Sequence, residues 1–340
     1  MSRKRIKYLL IFLVLFFPVL EGIVRITGGR PFENQEYNVS INPTPAFLGN
    51  DSLGIELIPG TFEFQLNDSI RFLATHTESG QRVVSTSDSQ LIEKPKIIML
   101  GCSFTYGYGV NDFENFPSLL QAKNQGIQIH NYAVPGYGTV QSLLQLDHAL
   151  AQKPKQVVLN FSSLHFMRNT LNLFFRQSLK LGYTRSTNRS NGFMQDSKFP
   201  FVKEGDKEIK YEEWNEVYSN WSGREKFAAI NWLQSLWDRV QYDKTENIIA
   251  TFEVIDRMAK KCEANNVDFI VSCIDLTEKT KELEKMCSAN NISWAELGFD
   301  FTTEELTNLP YDTHPNAKGH KFLADKISTF LYQPLANIED

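Results

Sequence analysis

The sequence predicts an α/β protein built on a five-stranded parallel sheet with helices on both faces, and three observations carry that prediction. From residue 95 onward, short apolar runs alternate with stretches of helical periodicity, the pattern of strand–helix–strand units. The first run, Ile97 to Leu100, is too short and too uniformly apolar for a solvent-facing helix and reads as a buried parallel strand that stops at Gly101, ahead of Cys102 and Ser103. Residues able to do chemistry recur just after the strands, on loops that the carboxyl edge of such a sheet brings together. Right-handed crossovers leave few topologies, and the order 2-1-3-4-5 is expected.

The elements follow in order. Arg3, Lys4, Arg5 and Lys7 precede an apolar run from Tyr8 to Leu20, broken only by Pro18. Residues 1–30 read as an uncleaved signal anchor that holds the chain at a membrane and leaves the rest outside the cytoplasm; a cleaved signal peptide and a buried core helix are the alternatives. Residues 31–60, with Pro31, Pro43, Pro45 and Pro59, read as an extended connector, and residues 61–75 as a β-hairpin turning at Asn67-Asp68. Residues 76–93 are polar and read as surface. The domain proper is placed at 94–335. Its strands are expected at 96–101, 127–134, 156–162, 267–275 and 292–297, and its helices at 114–124, 139–152, 245–265, 277–290 and 316–332. An aromatic-rich insertion at 166–244, running from Phe174 and Phe175 to Trp232 and Trp237, interrupts the alternation, with a hairpin around 199–211. Such aromatics can stack on sugar rings or build a small core of their own.

Composition narrows the function. A formal net charge of −5 lacks the basic footprint of a nucleic-acid binder. Four cysteines in 340 residues are too few for a disulfide framework and read as free, buried thiols, with a Cys262–Cys287 bridge as the alternative. His76, His130, His148 and His320 read as structural or exposed. His165, Asp312 and His314 have no metal-ligand spacing of note.

What remains is a constellation of loop residues. Ser103 follows the first strand, Gly136 the second, His165 the third, and Asp312 and His314 the fifth. A serine is a weak nucleophile near neutral pH and needs a base to take its proton, a contribution of about 10²–10⁴-fold in rate. His314 can be that base, with Asp312 holding its tautomer. The N–H groups of Ser103 and Gly136 can receive a developing oxyanion, and glycine at 136 lets backbone approach a substrate closely.

Three blocks then resemble the SGNH/GDSL hydrolase superfamily: GCSFTYGYG at 101–109, NYAVPGYGT at 131–139 and DTHPNAKGHKFLA at 312–324. The resemblance covers about 95–165 and 245–332. It implies a three-layer, flavodoxin-like α/β/α fold, Ser103 as nucleophile, His314 as base, Gly136 as an oxyanion donor, and ester or acyl chemistry without a cofactor. Together with the anchor it implies an extracytoplasmic serine esterase or O-acyltransferase, acting on acyl, most simply acetyl, esters of a carbohydrate or on a small ester.

Three departures stand out. Cys102 occupies the place of the family's usual Asp. The acid, Asp312, lies two residues before His314 rather than three, and Tyr311 stands in the usual place. The third block, FSSLHFMRN at 161–169, has Leu164-His165 where the family carries an oxyanion Asn followed by Asp. Asn160, Ser163, His165 and Asn169 are candidate replacements, and His165, Arg168 and Asn169 form a polar cluster suited to an oxyanion or a substrate carboxylate. The missing asparagine also admits a non-catalytic glycan-binding or scaffold protein on the same fold, and the insertion admits a component of a membrane complex.

Overall fold

The computed structural model describes residues 3–33, 38–84, 94–185, 194–240 and 246–333. In chain order the elements are helix α1 (Arg3–Ile26), strands β1 (Val39–Asn42), β2 (Phe47–Asn50), β3 (Gly54–Leu57), β4 (Gly60–Leu66), β5 (Ile70–His76) and β6 (Lys96–Leu100). Then come helices α2 (Ser103–Tyr106) and α3 (Phe116–Lys123), strand β7 (Gln128–Asn131), helix α4 (Thr139–Ala151), strand β8 (Gln156–Phe161), and helices α5 (Leu164–Asn169) and α6 (Leu173–Arg185). Strands β9 (Lys198–Phe201) and β10 (Lys210–Glu213) and helices α7 (Ala228–Val240) and α8 (Glu246–Ala264) follow; β11 (Asp268–Cys273), α9 (Glu278–Ala289), β12 (Ser293–Glu296) and α10 (Ala317–Ile327) complete the chain. It divides into two compact units: Met1–Glu36 with Tyr218–Lys244, and Tyr37–Val217 with Thr245–Asp340.

The larger unit is organised by a five-stranded parallel sheet in the order β12-β11-β8-β6-β7, which is the expected 2-1-3-4-5. Alternation along the strands sends side chains to two cores. Ile98, Leu100, Val157 and Leu159 pack against α4 (Val140, Leu143), α8 (Val254, Met258) and α9 (Leu283). Ile97, Met99, Val158 and Ile270 pack against α3 (Phe116, Leu120) and α10 (Leu323, Ile327). The central strand β8 is buried along its whole length because sheet neighbours and helices cover it on every side. All four cysteines are free and buried, so no Cys262–Cys287 bridge forms; burial pushes the thiols of Cys262 and Cys287 up to about 12, which keeps them protonated and inert.

The segment ahead of this core differs from an extended connector. β1 pairs antiparallel with β4, β4 with β5, and β2 with β3. Nor do all of residues 76–93 run over the surface. Residues 85–93 lie outside the described residues, but His76, Gln81 and Arg82 are buried. The hairpin at 199–211 is present as β9–β10. Of the insertion's aromatics, Phe175, Phe199, Phe201 and Trp214 are buried. Phe174, Tyr211, Trp221, Trp232 and Trp237 are exposed, and of the insertion's aromatics Phe175 lines the cavity described below.

In the smaller unit, α1 packs on α7. Glu21 accepts from the N–H groups of Ala228 and Ala229 at 3.0 and 2.7 Å, capping α7, and Val24 is buried with Ala228 and Ala229. Among the described residues no helix is long and apolar enough to cross a membrane. That overturns the expected N-terminal membrane anchor and, with it, the membrane as a partner through that anchor. The physical reason lies in the sequence of α1. Its uninterrupted charge-free run, from Tyr8 to Leu20, spans only about 20 Å at 1.5 Å per residue, against a hydrocarbon thickness of roughly 30 Å. Beyond that run come Glu21 and Arg25, which pair with each other at 2.6 Å.

Candidate active site

β6 delivers Ser103. The strand ends at Gly101, whose φ is +154°; a Cβ there would lie 2.4 Å from Thr105 Oγ1 and 3.0 Å from the Asn160 carbonyl, so only glycine lets the chain turn straight into α2. Cys102 packs inward, fully buried in the core on the α3–α10 side, and Ser103 opens the helix. A clamp on the other side of the turn fixes it. Arg82, side chain fully buried, donates to the carbonyls of Tyr106 (3.0 Å), Gly107 (2.6 Å), Val110 (2.9 Å) and Leu73 (3.0 Å) and pairs through Nε with Asp112 at 3.0 Å. Reading residues 76–93 as surface missed this arginine, since nothing local marks it as buried.

His314 reaches the serine from the loop ahead of α10. Its Nε2 lies 2.8 Å from Ser103 Oγ, and its Nδ1 lies 2.6 Å from Asp312 Oδ1. An ionised carboxylate only accepts, so Nδ1 carries the proton and Nε2 is free to accept from the serine hydroxyl. The same Asp312 oxygen accepts from the His314 N–H at 2.7 Å. This turn explains the two-residue spacing: the backbone folds Asp312 back beneath the ring, while Tyr311, in the family's usual acid place, is 52% exposed. The loop is tied down by Asn308, whose N–H donates to the His314 carbonyl at 3.0 Å. The imidazole packs against Phe104 and Tyr108, with centroids 5.3 and 5.0 Å away, and Tyr108 is buttressed by Phe64 and Phe72 of the β4–β5 hairpin.

Ser103, His314, Asp312 and Gly136 all line one cavity of about 450 Å³. Among the described residues the backbone N–H groups of Ser103 and Gly136 donate to no protein acceptor. Most of the wall is apolar: Val39, Ile41, Pro45, Ala46 and Phe47 from the segment ahead of the core, Leu164, and Phe175 and Leu179 of α6. The N-terminal strands are thus part of the site, which their short, proline-broken sequence did not announce.

The polar cluster expected here divides. Arg168 lines the cavity. His165 and Asn169 do not, which corrects the expectation that they face a substrate. Asn169 is fully buried; its Oδ1 accepts from the Thr139 and Val140 N–H groups at 2.7 and 3.2 Å, capping α4, and its Nδ2 donates to Thr251. His165 is fully buried against Thr139 Oγ1 at 3.2 Å, and burial, then the Arg168 charge, hold its imidazole neutral well below the usual histidine range. Asn160 is also buried, donating to the Leu100 carbonyl, and Ser163 is held by Asp275. Leu164, in place of the family's asparagine, presents an apolar side chain to the cavity. Among the described residues no group of three or more His, Cys, Asp or Glu side chains is placed to hold a metal ion.

The sheet order, the serine at the carboxyl end of β6 and the histidine ahead of α10 define the class: an α/β chain with the SGNH/GDSL hydrolase arrangement. No family model and no curated protein sequence matches the chain. Among solved structures it is similar to a lipolytic protein of the G-D-S-L family from Desulfitobacterium hafniense DCB-2, at 16% identity over 70% of this chain and 100% of that one, with a TM-score of 0.37. It is similar to the psychrotrophic esterase EstA from Pseudoalteromonas sp., at 15% identity over 69% and 96% of the two chains, with a TM-score of 0.40. A catalytic mutant of an acetylxylan esterase from Geobacillus stearothermophilus is similar at 12% identity over 68% and 91%, with a TM-score of 0.38.

Proposed function

We propose that this protein is a serine esterase that cleaves acyl esters through an acyl-serine intermediate and passes the acyl group to water or to an alcohol. The observation that carries the reading is the unbroken relay from Asp312 Oδ1 through His314 to Ser103 Oγ, open to the cavity. Ser103 Oγ attacks the ester carbonyl as its proton passes to His314 Nε2. Asp312 holds the ring's tautomer and stabilises the imidazolium. The carbonyl oxygen becomes an oxyanion beside the Ser103 and Gly136 N–H groups, each donor of this kind being worth about 3–4 kcal/mol. As the tetrahedral intermediate collapses, the alkoxide leaves with the proton from His314. A water or alcohol, deprotonated by the same imidazole, then releases the acyl group from Ser103.

The narrower expectation, an acetyl ester on a carbohydrate, drew on the aromatic insertion. Among the described residues Phe175 is the one aromatic of the insertion that lines the cavity, and a mostly apolar cavity far larger than an acetyl group favours an ester with a longer apolar part. Leu164 in place of the asparagine favours the second reading, a binding protein that kept the fold. Steady-state hydrolysis of 4-nitrophenyl acetate and octanoate by wild type and by Ser103→Ala separates the two. An esterase turns over the octanoate at a higher kcat/KM and loses turnover with the serine; equal rates from both proteins contradict the proposal.

A further inference from the structure

Among the described residues lining the cavity, Arg168 is the one lysine or arginine. It is 9% exposed, and its Nη1 donates to the Tyr137 carbonyl at 2.9 Å. Its Nε is buried with no hydrogen-bond partner, and among the described residues no carboxylate pairs with it. The guanidinium carbon lies over the ring of Phe175, 5.7 Å from its centroid, and Phe175 is itself part of the cavity wall. A guanidinium has five N–H donors and no way to lose its charge. Burying one against a single carbonyl and a ring is costly, and the cost is recovered when an anion supplies the missing acceptors. Stability alone favours an apolar side chain on this wall, most of which is apolar.

We infer that Arg168 is a specificity-determining residue that binds an anionic oxygen group, a carboxylate or a phosphate, on the substrate. The substrate class is an ester whose apolar part fills the wall formed by Ile41, Phe47, Phe175 and Leu179 and which carries one anionic group away from the scissile bond. This rests on the esterase reading for its chemistry but not for its test. Planar, bidentate pairing suits a guanidinium to such groups.

Isothermal titration on Ser103→Ala protein measures binding without turnover. Octanoate and octyl phosphate present the two anionic sources on one hydrocarbon chain, and octanol is the neutral reference. The anions are expected to bind about 10- to 100-fold tighter than octanol. That advantage is expected to vanish in Ser103→Ala/Arg168→Met and to survive in part with Arg168→Lys, circular dichroism reporting that each variant is folded. Which of the two anions binds tighter identifies the source. Equal binding of all three compounds, or an anion advantage untouched by Arg168→Met, overturns the inference. In kinetics, the ratio of kcat/KM for the 4-nitrophenyl half-ester of suberate to that for the octanoate ester should collapse in Arg168→Met through KM. A fall in kcat shared equally by both esters, with the ratio intact, would instead make Arg168 an oxyanion donor and also overturns it. Failure of the esterase reading appears separately, as absence of turnover in wild type.

Discussion

Replacing Arg82 tests how the nucleophile turn is held. Arg82→Met keeps the length and apolar stem but withdraws the donors from the carbonyls of Leu73, Tyr106, Gly107 and Val110, and the cation from Asp112. Asp112 keeps the Thr75 N–H at 3.0 Å but loses its counterion. Arg82 is fully buried and Asp112 half-buried, so removing the guanidinium and leaving four carbonyls without their donor should cost about 3 kcal/mol, against a total stability of roughly 5–15 kcal/mol for a domain. Arg82→Lys keeps the charge but cannot reach acceptors in several directions at once, and should lose about 2 kcal/mol. Equilibrium urea unfolding followed by circular dichroism reads both. The Met variant should lower the midpoint by more than about 1 M, and kcat should fall because Ser103 sits on the released turn. A loss below about 1 kcal/mol, the range of an exposed ion pair, would refute the clamp.

Other predictions follow from the same contacts. Asp312→Asn removes the acceptor that fixes the His314 tautomer and should cost about 10³–10⁴-fold in kcat on 4-nitrophenyl octanoate; a loss under tenfold would mean that Asp312 is not the orienting acid. Gly138→Ala would put a Cβ 2.7 Å from Asn169 Oδ1 and 2.9 Å from Arg168 Cβ, loosening the cap on α4. It should cost about 1–3 kcal/mol in a thermal melt, and an unchanged melt would refute the capping role. Acid should weaken the fold. Burial pushes His76 and His130 down to about 4 and His320 down to about 3, and the His320 Nδ1 is committed to accepting the Phe116 N–H at 3.2 Å. The unfolded chain takes up these protons near pH 6.5 and the folded chain only near 4 and 3. Their stabilisation is therefore complete above pH 6.5 and is lost as pH falls toward the folded values, about 2 kcal/mol for each by pH 5. Melts at pH 7.5 and 5 should differ less in His320→Leu than in wild type; an equal difference would refute the account.

The sequence made the sheet legible because its strands are short apolar runs and its helices have strong stripes, both local signals. Leu143 and Leu146 of α4, or Val254 and Met258 of α8, repeat at helical spacing and do pack on one face of the sheet. The blocks around Ser103, Gly136 and His314 were legible for the same reason, and the sheet order brings these residues to one cavity. Less legible was whatever depends on long-range burial. Arg82 and Asn169 look like surface or site residues in a linear reading, yet each is buried to satisfy backbone far away in the chain. Val39 to Phe47 read as connector because β1 finds its partner only after two intervening strands. The N-terminal run has the local look of an anchor, but it is too short and apolar only as far as Leu20, and Glu21 beyond it caps α7.

The claim beneath the rest is that His314 makes Ser103 Oγ a nucleophile. Incubation with a fluorophosphonate, followed by intact-protein and peptide mass spectrometry, addresses it without any assumption about substrate. One adduct is expected on wild type, on the peptide that contains Ser103, with none on Ser103→Ala and strongly slowed labelling of His314→Ala. Equal labelling of wild type and Ser103→Ala, or an adduct on another residue, would contradict it.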